Sequence, residues 1–556
     1  MHRSGRVARF PFLLSLPGAV LALCCVPAVA APPDAGTLLQ EIRPLPPSPP
    51  GAGDVLPQEA PRPAAQLDDT VPVTVRGFRI QGARAFSDSE LQALLASGVG
   101  QQLTLAKIHA LAQNLTRHYR EAGYPLARAY LPAQEIREGI VEVAILEGRL
   151  GRRSVRNQSR LDERRVAAYL DDLREGDAVR GEVLERDLLL LADLPGVDVR
   201  STLKPGASVG TTDLDIRLTD RSPYGGTLEL DNFGNRNTGV WRLGSSFNAG
   251  NLAGLADSLA LRALRAQGMD YVRIGWQLPV GSAGTQAGAA WSQMHYSLGK
   301  DFASLEAHGV ADIASLYLLH PFVRSRLANL NGQFQYEHKE LDDDIDSTAI
   351  HNRKALDVWT LGLSGSRLDG VLGGGNNQAS LSYVLGQLHL DAVSLGLDQM
   401  GHQSAGHYGK WNLSASRQQR LADDWSVSAG LHAQWAGKNL DSSEKMSLGG
   451  PQGVRAYPSG EANCDDAWQA NLELRYRLLG NVQASLFYDA AQGRINHEPI
   501  AADGNNHRRL AGHGLGLAYA DADLQVQAFV TWRDTAAPTA GEDRNPRVWI
   551  QAVTRF

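Results

Sequence analysis

The residue patterns that most often carry catalysis or bind metal ions are incomplete in this sequence. The acidic run Asp342–Asp346 offers carboxylates of the kind that bind calcium, but it lacks a full EF-hand pattern, and we interpret it as a solvated loop. Gly512–Gly516 contains three glycines in an alternating segment, outside the strand-turn-helix context of a nucleotide-binding loop. The sequence carries no nucleophile elbow and no His-Glu-x-x-His zinc pattern. We therefore predict a protein that is not an enzyme and has no cofactor and no metal site.

Cysteine chemistry is equally sparse. The chain has 3 cysteines, and Cys24 and Cys25 lie close to its beginning. The third, Cys464, is followed by Asp465 and Asp466, whose negative charges disfavour a thiolate. We expect a raised pKa and an unreactive thiol at Cys464.

Asp489 and Arg455 indicate a structural kind of chemistry. The segment Val482–Asp489 alternates, with apolar residues at 482, 484, 486 and 488 and with Phe487 and Asp489 on the other face. If the segment is a membrane strand, the carboxylate must point inward, because a charge facing lipid is costly. An inward-folded Arg455 could form a bidentate pair with Asp489 that holds a loop in place and still allows its release. The alternative is that Arg455 stays in a solvated loop.

The beginning of the chain resembles an export signal. Three arginines precede an apolar stretch over residues 10–26, and Ala28-Val29-Ala30 provides a cleavage pattern, so residues 1–30 are expected to form a signal peptide. No later apolar run is long enough for a transmembrane helix. A membrane protein built without such helices has to be a closed β-barrel. Residues 31–70 are rich in proline and are expected to form a linker, with a short helix possible at Asp34–Ile42.

Residues 71–220 show the periodicity of two compact α+β units. Each unit has the predicted order strand, helix, helix, strand, strand, first over residues 71–148 and again over 149–220. The alternative is one generic α+β domain.

Residues 221–556 change to the period-two alternation of β-strands. Long segments such as Trp468–Leu478 and Leu524–Arg533 set an apolar face against a strongly polar one, which suits lipid outside and a wet lumen inside. Long and short connections alternate, with long ones expected near 340–353, 438–466 and 490–511. At about 10 residues per strand plus connections, the segment accommodates about 16 strands. We predict a transmembrane β-barrel whose last strand ends at Phe556, a terminus that resembles the signal read by the outer-membrane assembly machinery.

Three groups of residues resemble the two-partner secretion transporters, the exporters of haemolysins and filamentous haemagglutinin. They are Gly123-Tyr124-Pro125-Leu126-Ala127-Arg128 with Leu131-Pro132-Ala133-Gln134 in the first α+β unit, Leu230-Asp231-Asn232-Phe233-Gly234 at the start of the barrel, and Val454-Arg455-Ala456-Tyr457 in its longest loop.

The resemblance implies two POTRA domains, a 16-stranded barrel and a plug helix that maps onto Asp34–Ile42. It also implies that the longest loop folds into the lumen with Arg455 near the inner wall. Ala456 stands where the family has glycine, so a stiffer loop is expected. The family's Phe-x-Asp-x-Gly strand motif is present as Phe487-Tyr488-Asp489-Ala490-Ala491, with alanine in the last position.

These features predict a pore in the bacterial outer membrane that recognises a periplasmic exoprotein through its POTRA domains and translocates it outward. The expected partners are a secreted adhesin or cytolysin, outer-membrane lipid and the barrel assembly machinery. Nucleic acid is not expected, because 60 acidic residues outnumber 54 basic ones. Two alternatives stay open: a factor that assembles other outer-membrane barrels, and a small-solute porin.

Overall fold

The computed structural model describes residues 32–42 and 72–556. The expected signal peptide, and all of the expected linker beyond residue 42, lie outside the described residues. The first described element is helix α1, Ala35–Ile42. Across the described ranges, no helix is long and apolar enough to cross a membrane.

The first α+β domain has two helices packed on a small sheet. Its sheet has the order β2-β5-β4, with β2 parallel to β5, and a separate pair joins β1 to β3. The core forms between the apolar stripe of the second helix and the inward face of β5, where burial of alternate residues follows the period of the strand. The elements are β1 Val73–Thr74, β2 Gly77–Gln81, α2 Asp88–Leu95, β3 Gln102–Leu103, α3 Leu105–Glu121, β4 Arg128–Tyr130 and β5 Ile140–Leu146.

The second α+β domain repeats the order strand, helix, helix, strand, strand that the sequence predicts. Its sheet has the order β6-β8-β7, which leaves β7 at an edge. Its core consists of leucines from α5 and alternate residues of β7 and β8. The elements are β6 Arg149–Gln158, α4 Glu163–Tyr169, α5 Gly181–Ala192, β7 Val197–Pro205 and β8 Thr211–Asp220.

The rest of the chain forms one closed antiparallel barrel of sixteen strands, as predicted. Each strand pairs with the next one along the barrel, and β26 pairs with β9 to close it. The strands are β9 Tyr224–Asp231, β10 Arg242–Gly250, β11 Ser258–Ala266, β12 Met269–Val280, β13 Thr285–Ser297, β14 Ala307–Arg324, β15 Ala328–Ile345, β16 Ile350–Asp369, β17 Gly375–Leu390, β18 Gly406–Arg420, β19 Trp425–Ala436, β22 Asp466–Leu479, β23 Val482–Arg494, β24 His507–Ala520, β25 Leu524–Arg533 and β26 Arg547–Arg555.

Most of the long loops lie at the far rim of the barrel, and most connections at the rim that faces the α+β domains are short. The longest loop, residues 437–465, contains β20 Met446–Ser447 and β21 Asn463–Cys464, and the loop between β17 and β18 contains helix α6, Ala392–Met400. The prediction of a long loop over 340–353 is wrong, because β15 and β16 continue through most of this segment and are connected only by residues 346–349. Asp344 on β15 pairs with His308 on one neighbouring strand and with His351 on the other, so the sheet continues through the segment that was expected to be a loop.

The two faces of the barrel differ as the alternation predicts. Outward positions carry exposed apolar side chains, for example Leu361 at 65% and Leu472 at 55% exposure. Aromatic residues also point outward as cross-strand neighbours, such as Tyr383 with Trp411. An outward face of this composition suits contact with lipid.

The second α+β domain is attached to the barrel by a bidentate ion pair. Arg324 at the end of β14 donates to both carboxylate oxygens of Asp193 at 2.7 and 2.8 Å, and Arg324 is buried. The backbones of the domain and of the barrel also approach each other closely here: a Cβ atom added to Gly196 would lie 3.0 Å from the carbonyl oxygen of Gly250 at the end of β10. These contacts fix the edge strand β7 close to the barrel opening.

Asp187 is an unusual residue in the core of the second α+β domain. It lies on α5 with 3% exposure, and its Oδ2 atom has no hydrogen-bond partner among the described residues. Burial, with a smaller effect from Asp172, raises the pKa of Asp187 to about 7. At pH values between the ordinary pKa of an aspartate and this raised pKa, Asp187 is protonated in the folded domain and ionised in the unfolded chain.

We expect the free energy of unfolding of this domain to fall as pH rises from about 4 to about 7 and to level off above that. Asp187→Asn should remove this dependence and raise the free energy of unfolding at pH 8 by about 2 kcal/mol. Hydrogen exchange of α5 peptides in the full chain, corrected for the intrinsic effect of pH, measures both quantities. The exposed Asp171→Asn variant is the control, and an equal gain in both variants would contradict the assignment to Asp187.

Candidate functional site in the filled lumen

The inner wall of β23 carries the two predicted anchoring residues. Phe487 and Asp489 are buried at 2% and 1% exposure and point into the barrel, while their neighbours Leu486 and Tyr488 are about half exposed on the outside. The pleat of the strand thus places the carboxylate in the lumen, as the alternation predicts.

The loop 437–465 folds back into the lumen and places Arg455 against Asp489. Arg455 Nε and Nη2 each donate to one carboxylate oxygen at 2.8 Å, and the backbone N–H of Arg455 donates to the same group at 3.1 Å. Arg455 Nη1 also donates to Glu473 of β22 at 3.1 Å. Both members of the bidentate pair are almost fully buried, so each compensates for the lost hydration of the other.

Two aromatic rings complete the environment of the guanidinium group. Arg455 Cζ lies 3.3 Å from the ring centroid of Phe487 and 5.1 Å from that of Phe529 on β25. A cation over an aromatic face is attracted by the ring and is shielded from water there. Phe487 therefore contacts the same guanidinium group that Asp489 binds.

The remaining residues of the loop motif make a tight turn. Val454 and Tyr457 are fully buried, and the Tyr457 hydroxyl donates to the carbonyl of Ala536 in the last loop at 2.8 Å. The methyl group of Ala456 packs against Gly512 of β24, where an added Cβ would approach it to 2.4 Å. The alanine in the family's glycine position is thus accommodated by a glycine in the wall.

Further carboxylates anchor the two arms of the same loop. Glu444 is 2% exposed and lies between Lys339 of β15 and Lys410 of β18, at 2.7 and 2.9 Å. Glu461 is fully buried and accepts hydrogen bonds from Arg508 and from the backbone of the last loop. The loop is therefore bound to opposite walls of the lumen.

Helix α1 lies inside the barrel and fills the space beside this loop. Its apolar side is buried against the inward faces of β12 to β18, and it also approaches the far side of the lumen through Glu41, which accepts from Asn235 at 3.1 Å. The apolar contact set on α1 is Ala35, Leu38, Leu39 and Ile42, and on the wall it includes Tyr271, Met294, Leu341, Leu356, Val358, Val384, Leu388 and Tyr408.

The beginning of α1 is held by a network of charges. Asp34 caps the helix by accepting from Thr37 N–H at 2.9 Å, and its other oxygen accepts from Lys354 of β16 at 2.9 Å. Asp343 of β15 accepts from the backbone N–H of Ala35 at 2.8 Å and from Tyr296 at 2.6 Å. The interpretation of residues 342–346 as a solvated loop is therefore wrong for Asp343, which is buried in the lumen.

The sequence interpretation missed the lysines and the carboxylates of these anchors. A usable signal exists on β16, where Lys354 is followed by Leu356 and Val358 on the inward face, while Trp359 and Leu361 occupy the outward face. A strand that is apolar on both faces does not suit a water-filled lumen. This pattern indicates that something covers the inner wall at that level.

The predicted motif of the first α+β domain lies at its junction with the second. Gly123 has a positive φ of 89° at the end of α3, and its carbonyl accepts from Gly181 N–H, at the start of α5, at 2.9 Å. Tyr124 packs its ring edge-on to Tyr119. Gln134 donates to the carbonyl of Glu142 at 2.8 Å and accepts from its N–H at 2.6 Å, which ties the segment to β5.

Two other motif residues are placed less deeply. Arg128 is exposed on β4, and the carbonyl of Pro132 accepts a hydrogen bond from the side chain of Gln134 at 3.3 Å.

The C-terminal Phe556 is 69% exposed, and its backbone exchanges hydrogen bonds with Gly226 of β9 at 3.0 and 3.1 Å. Its proposed reading by assembly machinery stays a prediction.

Comparisons with known proteins agree with this architecture. Residues 210–519 match the family described as haemolysin secretion/activation protein ShlB/FhaC/HecB, and residues 73–148 match the ShlB-type POTRA domain. The heme/hemopexin transporter protein HuxB of Haemophilus influenzae (strain 86-028NP) is 29% identical over 505 residues, covering 88% of this chain and 89% of that protein. The outer membrane transporter CdiB of Dickeya dadantii (strain 3937) is 25% identical and covers 83% of this chain and 82% of its own length.

Solved structures support the same fold. CdiB from Escherichia coli superposes with a TM-score of 0.70 at 20% identity, covering 90% of this chain and 94% of that one. BamA from Haemophilus ducreyi, lacking POTRA domains 1–3, gives a TM-score of 0.53 at 15% identity and covers 87% of this chain and 100% of its own. The predicted combination of a POTRA region and a 16-stranded barrel is confirmed. The chain belongs to the haemolysin secretion/activation family of two-partner secretion transporters, which lie in the bacterial outer membrane with their POTRA domains in the periplasm.

Proposed function

We propose that this chain exports one secreted exoprotein, an adhesin or a cytolysin, by binding it in the periplasm and passing it through the barrel. The observation that carries the proposal is that two chain segments, α1 and loop 437–465, fill the lumen of a wide barrel and are held there by ion pairs, hydrogen bonds and packing. Such segments can leave without breaking the wall, because the strands pair with one another and not with the filling. No catalytic step is proposed, since export requires only binding and displacement.

Capture of the passenger is proposed to occur by strand addition. The edge strands β2 and β7 have no partner on one side among the described strands, and their backbone groups can pair with an extended peptide of almost any sequence. Strand β7 begins beside a cavity of about 1170 Å³ that opens into the barrel. The cavity is lined by Val197 and Val199 of β7 and by small polar residues of the wall, such as Ser364, Ser380 and Ser416.

Two other functions are weaker candidates. A factor that assembles other barrels has the same superfamily architecture, and the BamA likeness concerns the fold alone. A small-solute porin does not need a pair of POTRA domains or a loop motif buried at Arg455. An export function uses both the pair of POTRA domains and the buried loop motif. We also propose that the outer-membrane assembly machinery inserts the barrel by binding its C-terminal strand.

Deletion of this chain should abolish the appearance of its passenger outside the cell. The measurement is co-expression with a candidate large exoprotein, followed by quantification in the medium and on the cell surface. Amounts of other outer-membrane barrels are the control and should not change. Unchanged export would contradict the proposal, and a general loss of barrels would favour the assembly factor.

Arg455→Ala should reduce export at least tenfold, because it leaves Asp489 buried without its partner, a change that typically costs about 3–5 kcal/mol. Arg455→Lys should retain part of the activity, since an ammonium group keeps the charge but cannot make the two parallel bonds. Export is measured in cells that contain equal amounts of folded barrel, judged by heat-modifiable migration. Export at the normal level in Arg455→Ala would show that the anchor is dispensable.

Disulfide trapping tests strand addition at β7. Single cysteines at Arg200, Thr202 and Lys204 share the exposed face, and Ser201 and Leu203 lie on the other. With a cysteine in the bound segment of the passenger, adducts should follow a period of two along β7, because paired strands bring Cβ atoms to about 5 Å on one face. Adducts without this period, or none at any position, would exclude pairing with this edge.

A further inference from the structure

Three arginines stand side by side on the exposed face of the sheet in the second α+β domain. Arg156 of β6 is the cross-strand partner of Arg217 on β8, and Arg217 is in turn the partner of Arg200 on β7. All three side chains are exposed, on the face of the sheet that points away from the core. Cross-strand partners have Cβ atoms about 5 Å apart. This arginine row therefore brings three positive charges together across the whole width of the sheet.

The carboxylates on the same face do not neutralise the arginine row. Asp215 is bound by Lys204 at 2.5 Å. Asp198 lies 3.3 Å from the Nε atom of Arg200, and this contact is open to water, because the two side chains are 47% and 81% exposed. Among the residues that the structure describes, no carboxylate forms an ion pair with either of the other two arginines of the row.

The exposed sheet face of the first α+β domain is matched in charge. There Arg79 on β2 has Glu142 on β5 as its cross-strand partner, and the two side chains form an ion pair at 3.1 Å. In both domains the pair joins the two parallel strands of the sheet, but the second domain sets Arg156 opposite Arg217. Opposite charges in such pairs stabilise a sheet, and like charges destabilise it. The arginine row is therefore not a requirement of the fold.

Protection of the sheet edge explains only part of the row. Charged residues on edge strands hinder unwanted pairing with other chains, and this role accounts for Arg200 on the edge strand β7. It does not account for Arg217, because β8 is the central strand and is paired on both sides. A positive charge at that position adds repulsion and protects no edge. The position of Arg217 thus indicates an anionic ligand that neutralises the row.

We propose that the arginine row selects carboxylate side chains in the exoprotein segment that adds to β7. A strand paired with β7 places one side chain on the exposed face directly opposite Arg200, as the fourth member of the row. The residue four positions away then lies opposite Lys204, and the residues at the odd positions between them lie on the face of Ser201 and Leu203. The recognised segment is extended, with two acidic residues four positions apart and apolar residues at the odd positions. The inference rests on the proposed capture by strand addition and specifies which segments that capture prefers.

A peptide suits this surface better than an anionic membrane does. Arg200 lies on the strand whose backbone groups have no partner on one side among the described strands. A peptide can therefore use the backbone hydrogen bonds of β7 and the charge of Arg200 at the same time. A lipid headgroup can use only the charge.

The experiment measures disulfide exchange between short peptides and a cysteine placed at Thr202, in the purified full chain in phosphatidylcholine nanodiscs. Thr202 lies between Arg200 and Lys204 on the same face of β7, whereas Cys464 is buried. The two peptides, Glu-Val-Cys-Val-Glu and Gln-Val-Cys-Val-Gln with blocked ends, read the same in both directions, so the direction of pairing does not matter. At equilibrium in a glutathione buffer we expect about fivefold more adduct with the glutamate peptide. High salt should reduce this preference, because it screens exposed charges.

Substitutions in the row test its contribution. Arg200→Gln should abolish the preference for the glutamate peptide, and Arg217→Gln should reduce it about twofold. Arg217→Gln should also leave hydrogen exchange in β8 unchanged or slower, because it relieves repulsion, whereas a merely structural Arg217 would give faster exchange on removal. Arg164→Gln is the matched control, since it removes the same charge from an exposed position on α4 of the same domain. It should change neither the preference nor the exchange.

Equal amounts of adduct from the two peptides in the otherwise wild-type chain would overturn the proposal and leave strand addition at β7 intact. A preference that survives Arg200→Gln would overturn the role of the row. Loss of the preference when the nanodiscs contain phosphatidylglycerol would show that the row binds the membrane, and would also overturn the proposal. Absence of adducts with both peptides would contradict the proposed capture at this edge itself.

Discussion

A sheet that crosses a membrane has to close on itself, because lipid offers no partners for backbone N–H and C=O groups. Here closure occurs between β26 and β9, and the hydrogen bonds of Phe556 with Gly226 extend the seam to the last residue. Sixteen strands close at a diameter that side chains alone do not fill, so a barrel of this size encloses a channel. In this chain the plug and the inward loop occupy that channel.

The two fillings meet the constraint by different physics. The loop is held mainly by buried ion pairs, and the groups that anchor it, such as Asp489 and Glu473, are charged groups that water solvates well once the loop has moved. Buried ion pairs add little stability over apolar packing of the same volume, but they are satisfied in only one geometry. Breaking them costs less free energy when water enters the lumen and hydrates the separated charges. Helix α1 buries an apolar stripe as well, so its departure uncovers the apolar inner wall around Leu356 and Val358. A chain passing through the open barrel meets that surface.

The sequence predicts the barrel well because alternation is enforced at every strand by the contrast between lipid and lumen. The inward direction of Asp489 follows from the same rule. The inward position of Arg455 does not, since the path of a loop depends on contacts with distant strands, and here it came from the resemblance to a family. Asp343 was misinterpreted for a related reason. An acidic run resembles a solvated loop in sequence, and only the folded structure shows that Asp343 binds the first turn of the buried helix α1.

Ala456 illustrates how a departure from a family pattern is absorbed. The backbone at Ala456 does not have a positive φ, so no glycine is required there for conformational reasons. The need is for space, because the turn lies directly against β24. Gly512 supplies that space from the wall, and an added Cβ on Gly512 would lie 2.4 Å from the Ala456 methyl. With alanine at position 456, the strand that the loop contacts therefore requires a residue without a Cβ atom at position 512. The loop keeps its buried turn, and with it the placement of the Arg455 guanidinium group between Asp489 and Phe487.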